Sequence, residues 1–290
     1  MEAFTRFLPP LSSSRYKGQA GKIAIIGGCF EYTGAPYFAG AAVLRFGGDL
    51  SHIFCAKSAA TPIKSYAPEQ IVHPYLPDND EFQNIDIAVK KVMDWAPSMQ
   101  SFVIGPGLGR NRATLDFTEK IIENLKSTDK PVILDGDAIF LVSEKPQIVN
   151  SCKRFILTPN GGEFIRLQNS LKLPKGCSCA DIANALGGVT VFAKGKIDVV
   201  SNGQITKEFN FPSSKRRVGG QGDITAGALG LFAAWAPDNY FEAAAAASEA
   251  VRKAAVLAFS KKHRSTITSD IIDEICNTLP ETWRKAEEDE

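Results

Sequence analysis

The regular alternation of short apolar runs with helical segments is the feature that most constrains this fold. Residues 22–26 form an apolar run that ends at two glycines, as expected of a strand buried on both faces. Residues 34–46 repeat small and apolar side chains at helical spacing. Further strands are predicted at residues 50–54, 101–104, 132–134, 155–157 and 189–193, and further helices at 86–95 and 113–125. The alternation predicts an α/β fold with a mainly parallel central sheet flanked by helices on both faces.

The second half of the chain departs from this alternation. Two strand-like runs at residues 198–201 and 204–209 flank Asn202-Gly203, a pair that favours a type I′ hairpin turn. The remaining segments are predicted to be helices at residues 221–236 and 241–259, and a shorter helix from about 268. The sequence contains no internal repeat and no linker long enough to divide it. We therefore predict a single domain over residues 1–290, with an N-terminal extension at 1–16 and a frayed acidic tail at 281–290.

Charge and composition exclude several classes of partner. The chain has 33 Lys and Arg against 32 Asp and Glu, which provides no broad electrostatic reason to bind nucleic acid or an anionic membrane. No segment has the apolar length of a signal peptide or a membrane-spanning helix. These observations predict a cytoplasmic protein without a nucleic-acid or membrane partner, and they leave a mitochondrial form open.

The cysteines and histidines do not form a recognisable metal motif. The six cysteines contain no C-x-x-C pair, and none of the three histidines has a histidine four residues away. Cys177 and Cys179 are separated by one residue, which is awkward spacing for a shared tetrahedral metal. We expect the cysteines to be dispensable for the chemistry.

Chemically useful residues follow the predicted strands directly. The loops are 105–109 (GPGLG), 135–137 (DGD), 158–163 (TPNGGE) and 194–195 (KG), and a glycine loop at 219–222 adds a fifth. Ligands of open parallel sheets bind at the carboxyl ends of the strands, where these loops should meet. Glycines, carboxylates and a lysine together suit nucleotide-dependent phosphoryl transfer.

Each of these loops also has a simpler interpretation. The 105–109 loop does not match G-x-G-x-x-G and could be only a tight turn, and the chain contains no P-loop motif. Asp135 and Asp137 could equally cap the following helix.

The segment Gly219-Gly220-Gln221-Gly222-Asp223 is the strongest single signal. Glycines that enter a helix let several backbone N–H groups point at one anion, and Arg216 and Arg217 precede them. Asp223 would then lie beside a bound phosphate, where it could accept a hydroxyl proton. We expect the helix N-terminus to keep the pKa of Asp223 low enough for ionisation at neutral pH. The alternative is a glycine-rich turn in which Asp223 is only an N-cap.

These motifs resemble those of a known family. The glycine loop with Asp223 is similar to the G-x-G-D segment of the ribokinase-like superfamily, and residues 160–163 are similar to its N-x-x-E segment, which is associated there with magnesium and phosphate. From about residue 17 to 236 the chain resembles the ATP-dependent NAD(P)H-hydrate dehydratases of eukaryotes. The matching segments are 17–22, 31–37 (EYTGAPY), 63–66 (IKSY), 105–110 (GPGLGR) and 216–223 (RRVGGQGD).

The resemblance implies a ribokinase-like fold and a metabolite-repair lyase. Such an enzyme phosphorylates the ring hydroxyl of the S form of hydrated NADH or NADPH with ATP, and loss of phosphate then restores NAD(P)H. Phosphate is a far better leaving group than hydroxide. The implied small molecules are ATP as co-substrate, the two hydrates and Mg²⁺. The implied partners are a separate NAD(P)H-hydrate epimerase and, in a homo-oligomer, further copies of the chain.

The resemblance also implies a role for each matching residue. Asp223 would activate the hydroxyl, the backbone at Gly220 and Gly222 would stabilise charge on the transferring phosphoryl group, and Glu163 would hold Mg²⁺ indirectly. The hydrate would contact Gly107, Asn160, Gly161, Gly162, Glu163, Phe164, Ile165, Arg166 and Asp223. ATP would contact Lys194, Gly195, Lys196, Ile197, Asp198, Ser213, Ser214, Lys215, Arg216, Arg217, Val218, Gly219, Gly220, Gln221 and Gly222. Bulkier residues are expected in relatives where this chain has Gly161-Gly162, so the nicotinamide pocket should differ in shape.

Two other classes of protein share part of this pattern. A small-alcohol kinase that keeps its phosphorylated product would share Asp223 and residues 160–163, but it should lack the 32–37 segment. A non-catalytic nucleotide-binding protein would be favoured by the loss of Asp223, which is present in this chain.

Overall fold

The computed structural model describes residues 8–9, 14, 16–78 and 84–279. The predicted tail at 281–290 and most of the predicted extension at 1–16 lie outside the described residues.

The described part of the chain forms one sheet of nine strands with helices between them. The strands are β1 (Lys22–Ile26), β2 (Leu50–Ala56), β3 (Ile71–Leu76), β4 (Ser101–Ile104), β5 (Val132–Leu134), β6 (Phe155–Leu157), β7 (Thr190–Ala193), β8 (Asp198–Ser201) and β9 (Thr206–Phe209). The helices are α1 (Gly34–Arg45), α2 (Lys57–Tyr66), α3 (Ile85–Met93), α4 (Arg112–Leu125), α5 (Asp137–Glu144), α6 (Gly161–Ser170), α7 (Cys179–Ala185), α8 (Gln221–Trp235), α9 (Tyr240–Lys262) and α10 (Thr268–Asp273).

The strand order and direction place the site-forming loops together at the carboxyl ends of the parallel strands. The order is β3-β2-β1-β4-β5-β6-β7-β8-β9, parallel from β3 to β7 and antiparallel from β7 to β9. From β1 the chain first adds strands on one side and then, at β4, continues on the other side. This reversal leaves a crevice at the carboxyl ends of β1 and β4, where open α/β sheets bind ligands.

Alternate residues of the central strands pack against two different layers of helices. Ile23 and Ile25 of β1 belong to a core shared with α1, α8 and α9. Ala24 and Ile26 belong to a second core that includes α4 and α5. The predicted mainly parallel sheet with helices on both faces is confirmed. None of the described helices combines the length and the hydropathy needed to cross a bilayer.

Buried strands were predicted more accurately than edge strands and short helices. The observed bounds of β1, β4, β5, β6 and β8 equal the predicted ones. The first four are nearly continuous apolar runs, whereas β8 (DVVS) was predicted from the Asn202-Gly203 turn signal that follows it. The sequence analysis missed β3, which contains His73 and Pro74 and lies at the sheet edge, where proline costs no central hydrogen bond. It also missed α2, which contains Pro62, and gave no bounds for the short helices α5, α6 and α7.

The predicted type I′ turn between β8 and β9 is wrong. Such a turn requires positive φ at both central residues, but only Gly203 of the pair has one, at 88°. The Asn202 side-chain oxygen instead accepts the N–H groups of Gln204 at 3.0 Å and Ile205 at 2.9 Å. This local side-chain turn lengthens the connection, so β9 begins only at Thr206.

Candidate active site

The glycine loop is held in one conformation at the N-terminus of α8. Gly220 is the N-cap of the helix, with a φ of 96° that favours glycine. A Cβ atom there would lie 2.9 Å from both Phe38 and Thr268. The Thr268 hydroxyl donates to the carbonyl of Gly219, which ties the loop to α10. The N–H of Gln221 donates to the carbonyl of Val218 at 3.4 Å, so the next two first-turn N–H groups of α8, which precede the first N–H that donates to a carbonyl of the helix, are the ones positioned for an anion.

Asp223 lies in the first turn of this helix, but it is not the N-cap, so the N-cap alternative is wrong. Burial, followed by the charge of Asp135, raises the pKa of Asp223 to about 7, although the Lys194 ammonium opposes the shift. The predicted low pKa is therefore also wrong, because the helix N-terminus is outweighed by desolvation and a neighbouring carboxylate. A pKa near 7 lets Asp223 be both ionised and basic at neutral pH.

A buried ion pair lies beside Asp223. The Oδ1 atom of Asp135, directly after β5, accepts from the Thr158 hydroxyl at 2.6 Å and from the Lys194 ammonium at 2.6 Å. A Cβ atom on Gly222 would lie 3.4 Å from Lys194 Nζ, so this ammonium is at the first turn of α8. Burial lowers the pKa of Lys194, but nearby carboxylates, with Asp135 foremost, raise it overall. A permanent positive charge thus lies where the helix already favours an anion.

The two aspartates of the 135–137 loop do not cap α5, whose N-cap is Gly136 without a side-chain cap. Asp135 is in the ion pair described above. Asp137 accepts from the backbone N–H of Gly109 at 3.0 Å and from Arg110 Nε at 2.7 Å. Asp137 therefore holds the end of the 105–109 loop.

Asn160 and Glu163 form a capping box at the start of α6. The Asn160 side-chain oxygen accepts the N–H groups of Gly162 and Glu163, each at 3.0 Å, and the Glu163 carboxylate accepts the N–H of Asn160 at 2.9 Å. Burial, then the charge of Asp135, raises the pKa of Glu163. The segment therefore has a structural role in addition to the ligand contacts predicted for it.

The 105–109 loop lies at the crevice between β1 and β4. The N–H of Gly28 donates to the carbonyl of Gly107 at 3.0 Å. Gly107 has a φ of 59°, and a Cβ atom there would lie 2.5 Å from the carbonyl oxygen of Tyr32. The loop is thus a tight turn, as the simpler interpretation proposed. Its backbone passes close to that of Tyr32 at the Gly107 crossing, and the loop also borders the ligand crevice.

A cavity of about 380 Å³ adjoins the first turn of α8 on the β7 side. Much of the wall comes from the two segments predicted to contact ATP, namely Lys194, Gly195, Lys196, Asp198, Ser213, Ser214, Arg216, Arg217, Val218, Gln221 and Gly222. Of the other residues predicted to contact ATP, Ile197, Lys215, Gly219 and Gly220 are outside the lining. Asn160 and Gly161, predicted to contact the hydrate, also line the cavity.

Three lining residues escaped the sequence analysis, namely Thr225, Ser248 and Arg252. Buried Asp198 accepts from Ser248 Oγ at 2.6 Å and pairs with Arg252 at 2.6 Å, and Arg252 also donates to the carbonyl of Gly195 at 2.8 Å. These contacts hold the 195–198 segment against α9. The sequence signal that could have revealed this contact is Arg252 itself, the single arginine of the alanine-rich helix α9.

Carboxylate oxygens at this site suit magnesium. No group of three or more His, Cys, Asp or Glu side chains arranged for a metal occurs within the described ranges. Mg²⁺, however, is usually bound through one or two carboxylates and substrate phosphates. Glu163 and Asp135 present such oxygens near the amino end of α8, so the donor set fits a magnesium ion that arrives with a nucleotide.

The family model and the curated relatives that match this chain share one description, NAD(P)H-hydrate dehydratase. The model of a family described as NAD(P)H-hydrate dehydratase matches residues 23–277. The chain is 43% identical over 284 residues to the ATP-dependent (S)-NAD(P)H-hydrate dehydratase of Rattus norvegicus, covering 92% of this chain and 81% of the relative. It is 44% identical over 291 residues to the protein of the same description from Arabidopsis thaliana, covering 91% and 80%.

Solved structures share the fold. A ribokinase-like superfamily protein from Enterococcus faecalis superposes with a TM-score of 0.78 at 20% identity, covering 96% of this chain and 92% of that one. The ADP/ATP-dependent NAD(P)H-hydrate dehydratase from Bacillus subtilis, co-crystallized with ATP and Mg²⁺, has a TM-score of 0.68 at 21% identity, with coverages of 93% and 94%. The fold is therefore ribokinase-like, as predicted.

Proposed function

Because the chain belongs to the NAD(P)H-hydrate dehydratase family, we propose that the site at the α8 N-terminus performs the ATP-dependent dehydration of the S form of hydrated NADH and NADPH. The observation that carries this proposal is the placement of Asp223 and the Lys194 ammonium at the same helical turn. A proton acceptor and a fixed positive charge there are the two groups that phosphoryl transfer to a hydroxyl requires.

The reaction divides into two steps. The ring hydroxyl attacks the γ-phosphorus of ATP, its proton passes to Asp223, and ADP leaves. The lone pair of the ring nitrogen then expels phosphate from the adjacent ring carbon and forms a C=N bond. Loss of a proton from the next ring carbon forms the C=C bond, returns the electron pair to nitrogen and restores NAD(P)H. Without phosphorylation the leaving group would be hydroxide, which is much poorer.

The proposed binding site for ATP is the cavity beside β7. Lys194 and the first-turn N–H groups of α8 would stabilise the negative charge on the transferring phosphoryl group. Exposed Arg216 and Arg217 on the cavity wall would bind the remaining phosphates. Mg²⁺ would reduce the phosphate charge when bound, with Glu163 holding it indirectly.

The proposed binding site for the hydrate is on the side of Asp223 opposite to ATP. The carboxyl ends of β4 and β6 border that side; β4 is followed by the Gly107 loop and β6 by residues 160–166, of which Asn160 and Gly161 also line the ATP cavity. Since only the S form is a substrate, we propose that the enzyme acts alongside a separate NAD(P)H-hydrate epimerase.

Regeneration of the reduced nicotinamide tests this function. The full chain is incubated with purified hydrate, ATP and Mg²⁺, and near-ultraviolet absorbance is followed; the control omits ATP. We expect ATP-dependent recovery of NADH and NADPH with release of ADP and phosphate. Accumulation of a stable phosphorylated hydrate would instead identify a kinase, and the absence of any turnover would contradict the proposal.

Arg217→Ala should weaken ATP binding without affecting the hydrate, because Arg217 lines the nucleotide cavity described above. Loss of one charge-assisted contact predicts a roughly tenfold rise in the KM for ATP. The control is Arg112→Ala, which removes an exposed arginine whose partner is Asp116 on α4. An equal change in the KM values of both substrates would contradict the assignment of Arg217.

The double change Cys177→Ser and Cys179→Ser should leave turnover within about twofold. Buried Cys179 Sγ donates to the carbonyl of Val191 at 3.3 Å, a contact that a serine hydroxyl can replace. Turnover is measured together with a melting curve. Inhibition of the parent protein by a chelator that spares magnesium would reveal a metal site that this prediction omits.

A further inference from the structure

Two arginines from different elements converge on one aromatic ring. The guanidinium carbon of Arg110 lies 4.4 Å from the centroid of the Phe140 ring, and that of Arg166 lies 5.4 Å from it. Their guanidinium carbons are therefore no more than about 10 Å apart. Two guanidinium groups held on one ring are a candidate contact surface for an anionic ligand.

The Arg110 guanidinium is fixed in place. Its Nε donates to Asp137 at 2.7 Å, while the second oxygen of Asp137 accepts the N–H of Gly109 at 3.0 Å. Half of the Arg110 side chain remains exposed. The arginine is thus attached to the end of the loop that contains Gly107, and its position depends on the same backbone crossing.

The ring contact leaves the hydrogen-bonding edges of the arginines available for a ligand. An aromatic ring interacts with the face of a guanidinium, whereas its N–H donors point outward in the guanidinium plane. Arg166 is also near Glu163 at the start of α6, because its charge opposes the rise that burial and Asp135 cause in the pKa of Glu163. The cluster therefore lies beside the site at the β4–β6 side.

The position of the cluster separates it from the nucleotide cavity. Arg110 follows β4, Phe140 is on α5 after β5, and Arg166 is on α6 after β6. The cavity assigned to ATP extends from the first residues of α6 toward β7 and has its own cations, including Lys194 and Arg217. A second phosphate-bearing molecule is therefore the ligand that the cluster fits.

We infer that Arg110 and Arg166, both packed on Phe140, bind a phosphate group of the dinucleotide substrate. This inference rests on the proposed function, because the hydrate is the second phosphate-bearing ligand. Guanidinium groups bind phosphate oxygens with paired N–H donors. The phosphate is either the pyrophosphate common to both hydrates or the 2′-phosphate found only in NADPH hydrate.

Kinetics of Arg110→Gln and Arg166→Gln, singly and combined, test the site with each hydrate at saturating ATP. Each single change should raise the KM for hydrate about tenfold, as expected for the loss of a charge-assisted contact, and leave kcat and the KM for ATP within about twofold. The matched control is Arg112→Gln, two residues from Arg110, which should leave all three constants unchanged. Melting curves report any unfolding.

The outcomes separate the two phosphates. An equal rise with both hydrates supports binding of the pyrophosphate, and a rise restricted to NADPH hydrate supports binding of the 2′-phosphate. An unchanged KM for both hydrates, or a parallel rise in the KM for ATP, overturns the site. Should the unsubstituted chain fail to turn over hydrate, the proposed function fails; titration with NADPH, followed by its fluorescence, then tests the arginines separately, and equal affinity in all variants overturns the site.

Discussion

Asp223→Asn is expected to lower kcat for dehydration by about 10²–10⁴-fold, the usual effect of losing a general base. The amide keeps the size of the side chain but cannot accept the hydroxyl proton. ATP should still bind, because the first-turn N–H groups and Lys194 are unchanged. The measurement is regeneration of NAD(P)H, with the KM for ATP determined in parallel.

The pH profile gives this prediction a second readout. Since the pKa of Asp223 is about 7, kcat/KM of the parent protein should fall as the pH drops below about 7. Asp223→Asn should lose this acidic limb along with its activity. The matched control is Glu242→Gln, an acid in the first turn of α9, which should keep both the rate and the limb. Near-normal turnover in Asp223→Asn would contradict the base assignment.

Stability should change in the opposite direction to activity. The pKa of Asp223 is higher in the fold, about 7, than its ordinary value of 3.8, so its contribution to stability is greatest below pH 4 and is lost as the pH rises toward 7. Asparagine carries no charge at any pH and avoids this loss. The melting temperature of Asp223→Asn should therefore exceed that of the parent increasingly between pH 4 and 7. A lower melting temperature at pH 8 would instead assign Asp223 a structural role.

The local features of this site could be predicted from the sequence. Consecutive glycines before a small-residue run are typical of a helix N-terminus, so the start of α8 within the 219–223 segment was predicted correctly, whereas its role in binding an anion stays a prediction. The same holds for β1, β4 and β5, whose apolar runs have no other use in a sheet covered on both faces.

The electrostatics of the site could not be predicted in the same way. The pKa of Asp223 depends on Asp135, Glu163 and Lys194, which come from three other loops and approach only in the folded chain. Likewise, Asp198 was predicted to contact ATP, but its contacts with Ser248 and Arg252 show that the side chain holds its own loop. Such pairings depend on packing between distant elements, and no local pattern records them.

Lys194→Met is expected to reduce kcat by about 10²–10³-fold, the usual effect of removing one donor that stabilises a developing charge. The ammonium lies at the first turn of α8, and methionine occupies a similar volume without charge. The change also leaves buried Asp135 with Thr158 as a hydrogen-bond partner but without its cation, so some loss of melting temperature is expected. Rates at saturating ATP and hydrate measure the effect.

The direction of the pH shift distinguishes a catalytic charge from a merely structural one. Lys194 lowers the pKa of Asp223 against burial and Asp135, so Lys194→Met should move the acidic limb of kcat/KM to higher pH. Lys194→Arg retains the charge and should keep the limb near its original position, even if the larger guanidinium slows the reaction. If both variants lose activity equally and neither moves the limb, Lys194 serves only to anchor Asp135, and the phosphoryl charge must be stabilised by the helix N-terminus alone.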